Sequence, residues 1–253
     1  MAGKSKETMF FSEEKNSESL IWATNSSKRF NCIRTDRANR VKRKRIMQGD
    51  VKMVIGVDAD GVLTDMQKFN FIFGQRFFNK RIINPSGYTA REIFEVSKIK
   101  EILYGIKYFP QYCKNWPPRK DASVILNKLM AEGHDLHEIT ARKFVTSNSI
   151  LGKYSRKWFL QWCENNEFSF SSVTFCSEKN GMIDKSEACL RLNIDIMIDD
   201  RPEIVLALAK KGIMVLMMDA PYNQYIRHEK AKRVFDWLDV YEKISEMSGV
   251  SGN

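Results

Sequence analysis

A chain of 253 residues with 43% apolar content is long enough for one sizeable α/β core with an insertion or a tail. Its net charge of +10 favours anionic partners, and no stretch approaches the ~18 uninterrupted apolar residues that a membrane-spanning helix needs. Five cysteines, Cys32, Cys113, Cys163, Cys176 and Cys189, are scattered with no C-x-x-C pair, and the N-terminus has no apolar signal core. That pattern reads as reduced thiols in a cytosolic protein and sets a disulfide scaffold aside.

Residues 1–50 differ from the rest. They hold twelve Lys or Arg against six Asp or Glu, with few apolar residues and no sustained period. A basic, flexible extension is expected there. Within it Arg34 to Arg45, RTDRANRVKRKR, is a basic block suited to nucleic acid or an acidic partner, and Val41 to Arg45 has the composition of a nuclear address. Leu20-Ile21-Trp22 is expected to anchor one short stretch to the globular part.

The chain then enters a short apolar run, Met53 to Val57, that stops at Asp58-Ala59-Asp60-Gly61. This reads as a buried parallel strand delivering two carboxylates to the carboxyl edge of a sheet. Gly61 lets the chain turn so that both converge, an arrangement suited to a hard cation and a nucleophile. Phe69, Ile72, Phe73 and Phe77 follow at helical spacing, and Pro85-Ser86-Gly87 marks a break. Thr89-x-x-Glu92 is a capping box opening a second helix, whose apolar face would run through Ile93, Phe94, Val96, Ile99, Ile102 and Leu103. Pro110 and Trp116-Pro117-Pro118 are expected to close the segment.

Ala122, Ile125, Leu126, Leu129 and Met130 predict an amphipathic helix stopped by Gly133. His134 falls in the turn. The strand leading to Ile139-Thr140-Ala141-Arg142 carries His137 and Glu138, which speak against its full burial. Lys153 to Glu164 predicts a helix with Tyr154, Trp158, Phe159 and Trp162 inward, followed by a strand at Val173 to Phe175. A helix is expected to begin at Asp184-Lys185-Ser186. Asp195 to Asp199 is an apolar strand ending in Asp199-Asp200, with Pro202 at the next helix start. Adjacent carboxylates there repel unless a cation sits between them and the first pair, and Mg²⁺ is the expected ion. A helix over Ile204 to Ala209, a last strand over Ile213 to Met217 and a helix over Val234 to Ile244 complete the pattern.

The run Asp58-x-Asp60-Gly61-Val62-Leu63-Thr64-Asp65, the Ile-Thr-Ala-Arg ending, a downstream lysine and Asp199-Asp200 together resemble the haloacid dehalogenase superfamily of phosphohydrolases. The turn Ala220-Pro221-Tyr222-Asn223, then Arg233 and Trp237, is similar to the branch related to the 5'(3')-deoxyribonucleotidases. The resemblance covers about residues 52–245. It implies a three-layer, doubly wound parallel α/β sheet whose core spans 51–65 and 119–247. It also implies a small helical cap over 66–118 and a tail over 248–253. Asp58 would be the nucleophile, forming an aspartyl-phosphate, and Asp60 the acid and base. Lys185, with Lys179 as the alternative, would neutralise the nucleophile and phosphate. Thr140, Ala141, Arg142 and Gly61 would contact the phosphoryl group. Mg²⁺ would be held by Asp58, the Asp60 carbonyl and Asp199, with Asp200 holding a metal-bound water. The implied substrate is a nucleoside monophosphate, stacked on Phe69, Phe73 or Tyr88. A sugar phosphate, a nucleic-acid end, or a non-catalytic binding role on the same fold are the alternatives.

Overall fold

The computed structural model describes residues 21–22 and 51–249. Cys32, the basic block Arg34 to Arg45 and most of the remaining N-terminal extension lie outside the described residues, as do 250–253 of the tail. A seven-stranded sheet holds the chain together. Its strands are β1 (Ile21–Trp22), β2 (Val54–Val57), β3 (Asp135–Thr140), β4 (Ser172–Phe175), β5 (Ile196–Asp199), β6 (Met214–Met218) and β7 (Ala231–Val234). Their order is β1-β4-β3-β2-β5-β6-β7, parallel except for β1, which pairs antiparallel with β4 through Ile21–Thr174 and Trp22–Val173. The expected anchoring of Ile21-Trp22 is therefore a backbone pairing at the sheet edge.

β2 sits between β3 and β5, so the strand order runs one way through β3 and β4 and the other way through β5 and β6. The gap beyond the carboxyl ends at this reversal is where open α/β sheets take their ligands. Side chains alternate across the sheet. Ile55, Val57, Leu136, Ile196, Ile198 and Leu216 pack under α4 (Ala122–Ala131), α5 (Ile150–Asn165) and α8 (Trp237–Ser248). Ile139, Met197, Val215 and Met217 pack under α6 (Gly181–Arg191) and α7 (Pro202–Lys210). Both faces are covered, so the strands read as continuous apolar runs, and each fully buried Val, Leu or Ile contributes roughly 1.5–3 kcal/mol. Double coverage also corrects the reading of β3: His137 and Glu138 are both buried. His137 is satisfied by Ser172 Oγ at 2.7 Å, and Nδ1 of the buried His134 accepts from the Met53 amide at 3.2 Å.

Between β2 and α4 lie three helices, α1 (Met66–Phe78), α2 (Ala90–Phe94) and α3 (Lys98–Asn115). Phe69, Tyr104 and Tyr112 form their shared core, with Phe73, Phe77 and Trp158 of α5 packed against it. The Thr89–Glu92 capping box forms as expected, with both hydrogen bonds present. The long apolar face assigned to that helix does not. Glu95 turns left-handed, Ser97 caps a new helix, and the register rotates. Tyr104 and Tyr112 then point inward, while Ile99, Ile102, Leu103 and Ile106 are exposed. Pro110 does not end the helix. It lies within α3, because inward packing of Tyr104, Tyr112 and Cys113 outweighs the ~3 kcal/mol that an interior proline costs.

Three smaller differences have similar causes. In α5 the inward face is Ser155, Phe159, Trp162 and Cys163, so Tyr154 lies outside and stacks on Trp158 at 5.6 Å. Helix α6 starts four residues before Lys185, at Gly181. Val234 closes β7, a strand with no apolar run to announce it, and Asp236 caps α8. Among the described residues no helix is long and apolar enough to cross a membrane. Cys113, Cys163, Cys176 and Cys189 are buried free thiols.

Candidate active site

The loop that leaves β2 is held on all sides. The Asp58 amide donates to Ile198 O at 3.0 Å, tying it to the end of β5. Leu63 and Thr64 turn back onto Ala59 O, and Gly61 bonds to Thr64 O. Arg119 Nε donates to Gly61 O at 3.1 Å and Trp237 Nε1 to Val62 O at 3.3 Å. Gly61 has φ +93°, and a Cβ there would stand 1.9 Å from Asp200 Oδ2. Gly61→Ala is expected to cost ~1–3 kcal/mol in stability through backbone strain, and more if Asp200 cannot move. Denaturant unfolding of the variant checks this.

Asp58 comes from β2, and Asp199 and Asp200 from the end of β5. The Lys185 ammonium, from α6, lies between the two strands, 2.6 Å from Asp58 Oδ1 and 2.7 Å from Asp199 Oδ2. Lys185 is 1% exposed. A buried lysine normally loses its proton to desolvation, but Asp199 and Asp58 hold the Lys185 pKa well above its ordinary value. Lys179, the other sequence candidate, is exposed at the start of the turn before α6. The remaining oxygen of Asp199 accepts from the amide of Arg201, the residue just before α7, at 3.0 Å.

One ammonium faces three buried carboxylates. Burial pushes the Asp58 carboxyl up to about 7 in spite of Lys185, with Asp199 and Asp60 adding to the rise. Asp200 is pushed well up by burial, then by Asp199 and Asp58. Its Oδ2 accepts from the Tyr222 hydroxyl, while its Oδ1 is buried with no partner. One oxygen from each of Asp58, Asp199 and Asp200 lies within 4.8 Å of the others. Three hard oxygen donors in excess of local positive charge, one of them orphaned, suit a divalent cation.

Thr140 ends β3, and its hydroxyl is buried without a partner. Ala141 and Arg142 follow. Arg142 is already engaged within the protein. Its guanidinium is buried and paired with Asp60, with Nε 2.9 Å from Oδ1 and Nη2 also in contact. Tyr112 donates to the same Asp60 oxygen at 2.8 Å.

A cavity of about 560 Å³ lies between Asp60, the segments that follow Thr140 and Asp200, and the helices α1–α3. Asp60, Ala141 and Arg142 line its floor; Tyr88, Tyr108, Phe109 and Tyr222 are among its aromatic walls. Tyr88 meets Tyr222 edge-on at 5.1 Å and lies under the Arg201 guanidinium at 5.3 Å. Of the three aromatic candidates, Phe69 and Tyr88 line the cavity, while Phe73 packs behind it against Tyr108. Sequence reasoning passed over Tyr108, Phe109 and Tyr112. The signal was present, since Tyr104, Tyr108 and Tyr112 recur every four residues on one helical face. The Pro-Tyr-Asn turn has a structural task. Asn223 Nδ2 donates to Asp200 O at 2.9 Å and Met218 O at 2.8 Å, and Arg233 holds Asn223 Oδ1 at 2.7 Å. That places Tyr222 against Asp200.

Residues 52–248 match the model of the family described as 5' nucleotidase, deoxy (pyrimidine), cytosolic type C protein. The chain belongs to this family. It is thus a phosphomonoester hydrolase of the nucleotidase kind. Among relatives, a candidate nucleotidase of Oceanobacillus iheyensis is 28% identical over 200 residues, 74% of this chain and 96% of that protein. A nucleotidase of Clostridium acetobutylicum is 24% identical over 190 residues, 74% of this chain and 91% of that one. In fold the chain is similar to a HAD family hydrolase of Deinococcus radiodurans, with TM-score 0.53 and 12% identity, covering 77% of this chain and 96% of that chain. A haloacid dehalogenase-like protein of Streptococcus pneumoniae gives TM-score 0.52 at 14% identity, covering 76% and 98%. The doubly wound parallel sheet and the superfamily expected from the motifs are those of the nucleotidase family.

Proposed function

We propose that this nucleotidase-family chain is a cytoplasmic, Mg²⁺-dependent phosphatase of nucleoside monophosphates that works through an aspartyl-phosphate on Asp58. The observation that carries the reading is the Lys185 ammonium buried between Asp58 and Asp199, with the orphaned Asp200 Oδ1 beside them. The donor set fits Mg²⁺: Asp58 and Asp199 would hold the ion directly, the Asp60 carbonyl would join them, and Asp200 would hold a bound water. The ion's contribution when bound is to offset charge on the phosphoryl oxygens.

The residues divide the remaining work. Lys185 opposes the burial penalty on the Asp58 charge and aligns the carboxylate, so that one oxygen attacks phosphorus. As the bond from phosphorus to the ester oxygen breaks, Asp60 gives that oxygen a proton. Asp60, now a carboxylate, takes a proton from the water whose oxygen attacks the phosphorylated Asp58, releasing phosphate and restoring both groups. Thr140 and the backbone at Ala141 and Gly61 meet the non-transferring oxygens. The helices over 66–118 act as a cap, closing the cavity over the leaving nucleoside and excluding bulk water. A volume of about 560 Å³ walled by Tyr88, Tyr108 and Phe109 suits a nucleoside with its base against aromatic rings.

A phosphate-release panel tests this reading. Ribo- and deoxyribonucleoside monophosphates and sugar phosphates are compared with Mg²⁺ and with EDTA. Release confined to the nucleotides and lost in EDTA is expected; release from sugar phosphates alone sinks the substrate assignment. A cation must displace the proton that burial keeps on Asp58 up to about 7. Its affinity rises as pH rises through that value. The melting-temperature increase given by a fixed Mg²⁺ concentration should therefore be larger at pH 8 than at pH 6.

A further inference from the structure

The hydrogen bonds reaching Asp60 are all on one side. Oδ1 receives Tyr112 OH at 2.8 Å, Arg142 Nε at 2.9 Å and Arg142 Nη2. With three donors, two of them from the one Arg142 guanidinium, the hydrogen-bonding capacity of Oδ1 is taken up. Oδ2 is the oxygen left to the cavity that Asp60 lines. We infer that Tyr112 and Arg142 are positioning residues for Asp60: they clamp one carboxylate oxygen and so present the other, in a fixed direction, to the leaving oxygen and then to water. This inference rests on the reading of Asp60 as the acid and base.

The clamp itself is supported from behind. Tyr112 OH lies 2.6 Å from Thr64 Oγ1, and the Thr64 hydroxyl also donates to Ala59 O at 3.2 Å, which ties the clamp to the β2 loop. Burial, then Asp60, push the Tyr112 pKa well up, so the hydroxyl stays a donor across the working range. The Arg142 guanidinium lies over the Phe159 ring at 4.7 Å and the Tyr112 ring at 5.2 Å, which fixes its plane. Thr64 belongs to the β2 loop, Arg142 to the end of β3, and Tyr112 to α3. The acid is thus set by the core and by the helical insertion together, and a shift of α3 would release one of its three bonds. Tyr112 was not among the residues that sequence motifs picked out, and Arg142 was read there as a phosphoryl contact. The pairing gives both a different task.

The test uses the leaving group. General acid help matters for a nucleoside alkoxide, a poor leaving group, and little for the aryloxide of p-nitrophenyl phosphate. kcat/KM reports the first phosphoryl transfer to Asp58, so it isolates the acid step from the later base step. Tyr112→Phe is expected to lower kcat/KM for a nucleoside monophosphate by about 10- to 100-fold and to change that for p-nitrophenyl phosphate by less than about threefold. Arg142→Lys, which keeps the charge but loses the fork, should show the same selectivity. Asp60→Asn is the reference and should be selective too, with a larger loss. A Tyr112→Phe effect equal on both substrates, or none, overturns the inference while a selective Asp60→Asn leaves the acid assignment standing. If Asp60→Asn is itself unselective, the acid assignment falls. Melting curves of each variant separate misfolding from both outcomes, and Arg142→Lys carries the test if Tyr112→Phe does not fold.

Discussion

Asp58→Asn is expected to fold like the wild type and to release no measurable phosphate from any substrate. The amide keeps the size of the carboxyl, and its oxygen still accepts from Lys185 Nζ, which stands 2.6 Å from Asp58 Oδ1 in the wild type. Burial disfavours the charge on Asp58, so removing that charge relieves a cost as well as removing an ion pair. The net change in stability should stay within about 1 kcal/mol. Activity has no such offset. An amide does not form the acyl-phosphate, and losses at nucleophiles that act as a unit with their neighbours reach ~10⁴-fold or more. Matched melting curves with absent turnover fit these roles; turnover within tenfold of wild type removes Asp58 from the reaction.

Lys185→Met should fail in the opposite order, with the fold suffering along with the chemistry. The lysine is 1% exposed and is the cation in contact with both Asp58 and Asp199. Methionine fills most of its volume and supplies no charge. Removing one partner of a buried pair costs about 3–5 kcal/mol, because the remaining charges stay out of water. The sign of the pH dependence follows. Without Lys185 the folded variant binds protons on its carboxylates more tightly than the wild type does, and a folded state that binds more protons loses stability as pH rises. The stability gap should therefore widen above about pH 7, where the wild-type Asp58 is ionised, and narrow below it. Urea unfolding at pH 5.5 and pH 8 measures both values. A gap that is small or independent of pH contradicts the charge balance described here. Added Mg²⁺ should recover part of the stability and none of the turnover.

The legible parts of this chain were those where one residue type does one task. The β2 run ends in two aspartates because a fully covered central strand is apolar and its carboxyl end is polar, and that contrast survives in the sequence. The same holds for β5 with Asp199 and Asp200; Lys185 was preferred over Lys179 on the family resemblance, and its ammonium lies against Asp58 and Asp199. What did not read through depended on packing from outside the segment. Glu138 sits at 0% exposure with neither oxygen partnered, and burial followed by the Asp58 charge pushes its carboxyl well up. A polar residue in a short strand gives no sign that helices will cover both faces. The α2–α3 break at Glu95 and Ser97 hid inside a continuous apolar pattern, because the Ile and Leu residues that looked like a core face point outward. Arg142, expected at a phosphoryl oxygen, is paired with Asp60. Its partner was set by Tyr112 and Phe159, 30 residues before and 17 residues after it in sequence, and no local motif records such a contact.

The most direct measurement is to stop the enzyme with acid during turnover of a deoxyribonucleoside monophosphate and to map the covalently bound phosphoryl group by peptide mass spectrometry. The expected result is a phosphoryl group on the peptide that carries Asp58, present in the wild type with Mg²⁺ and absent from Asp58→Asn. Rapid turnover with the phosphoryl group on another residue, or on none at any quench time, would contradict an aspartyl-phosphate at Asp58.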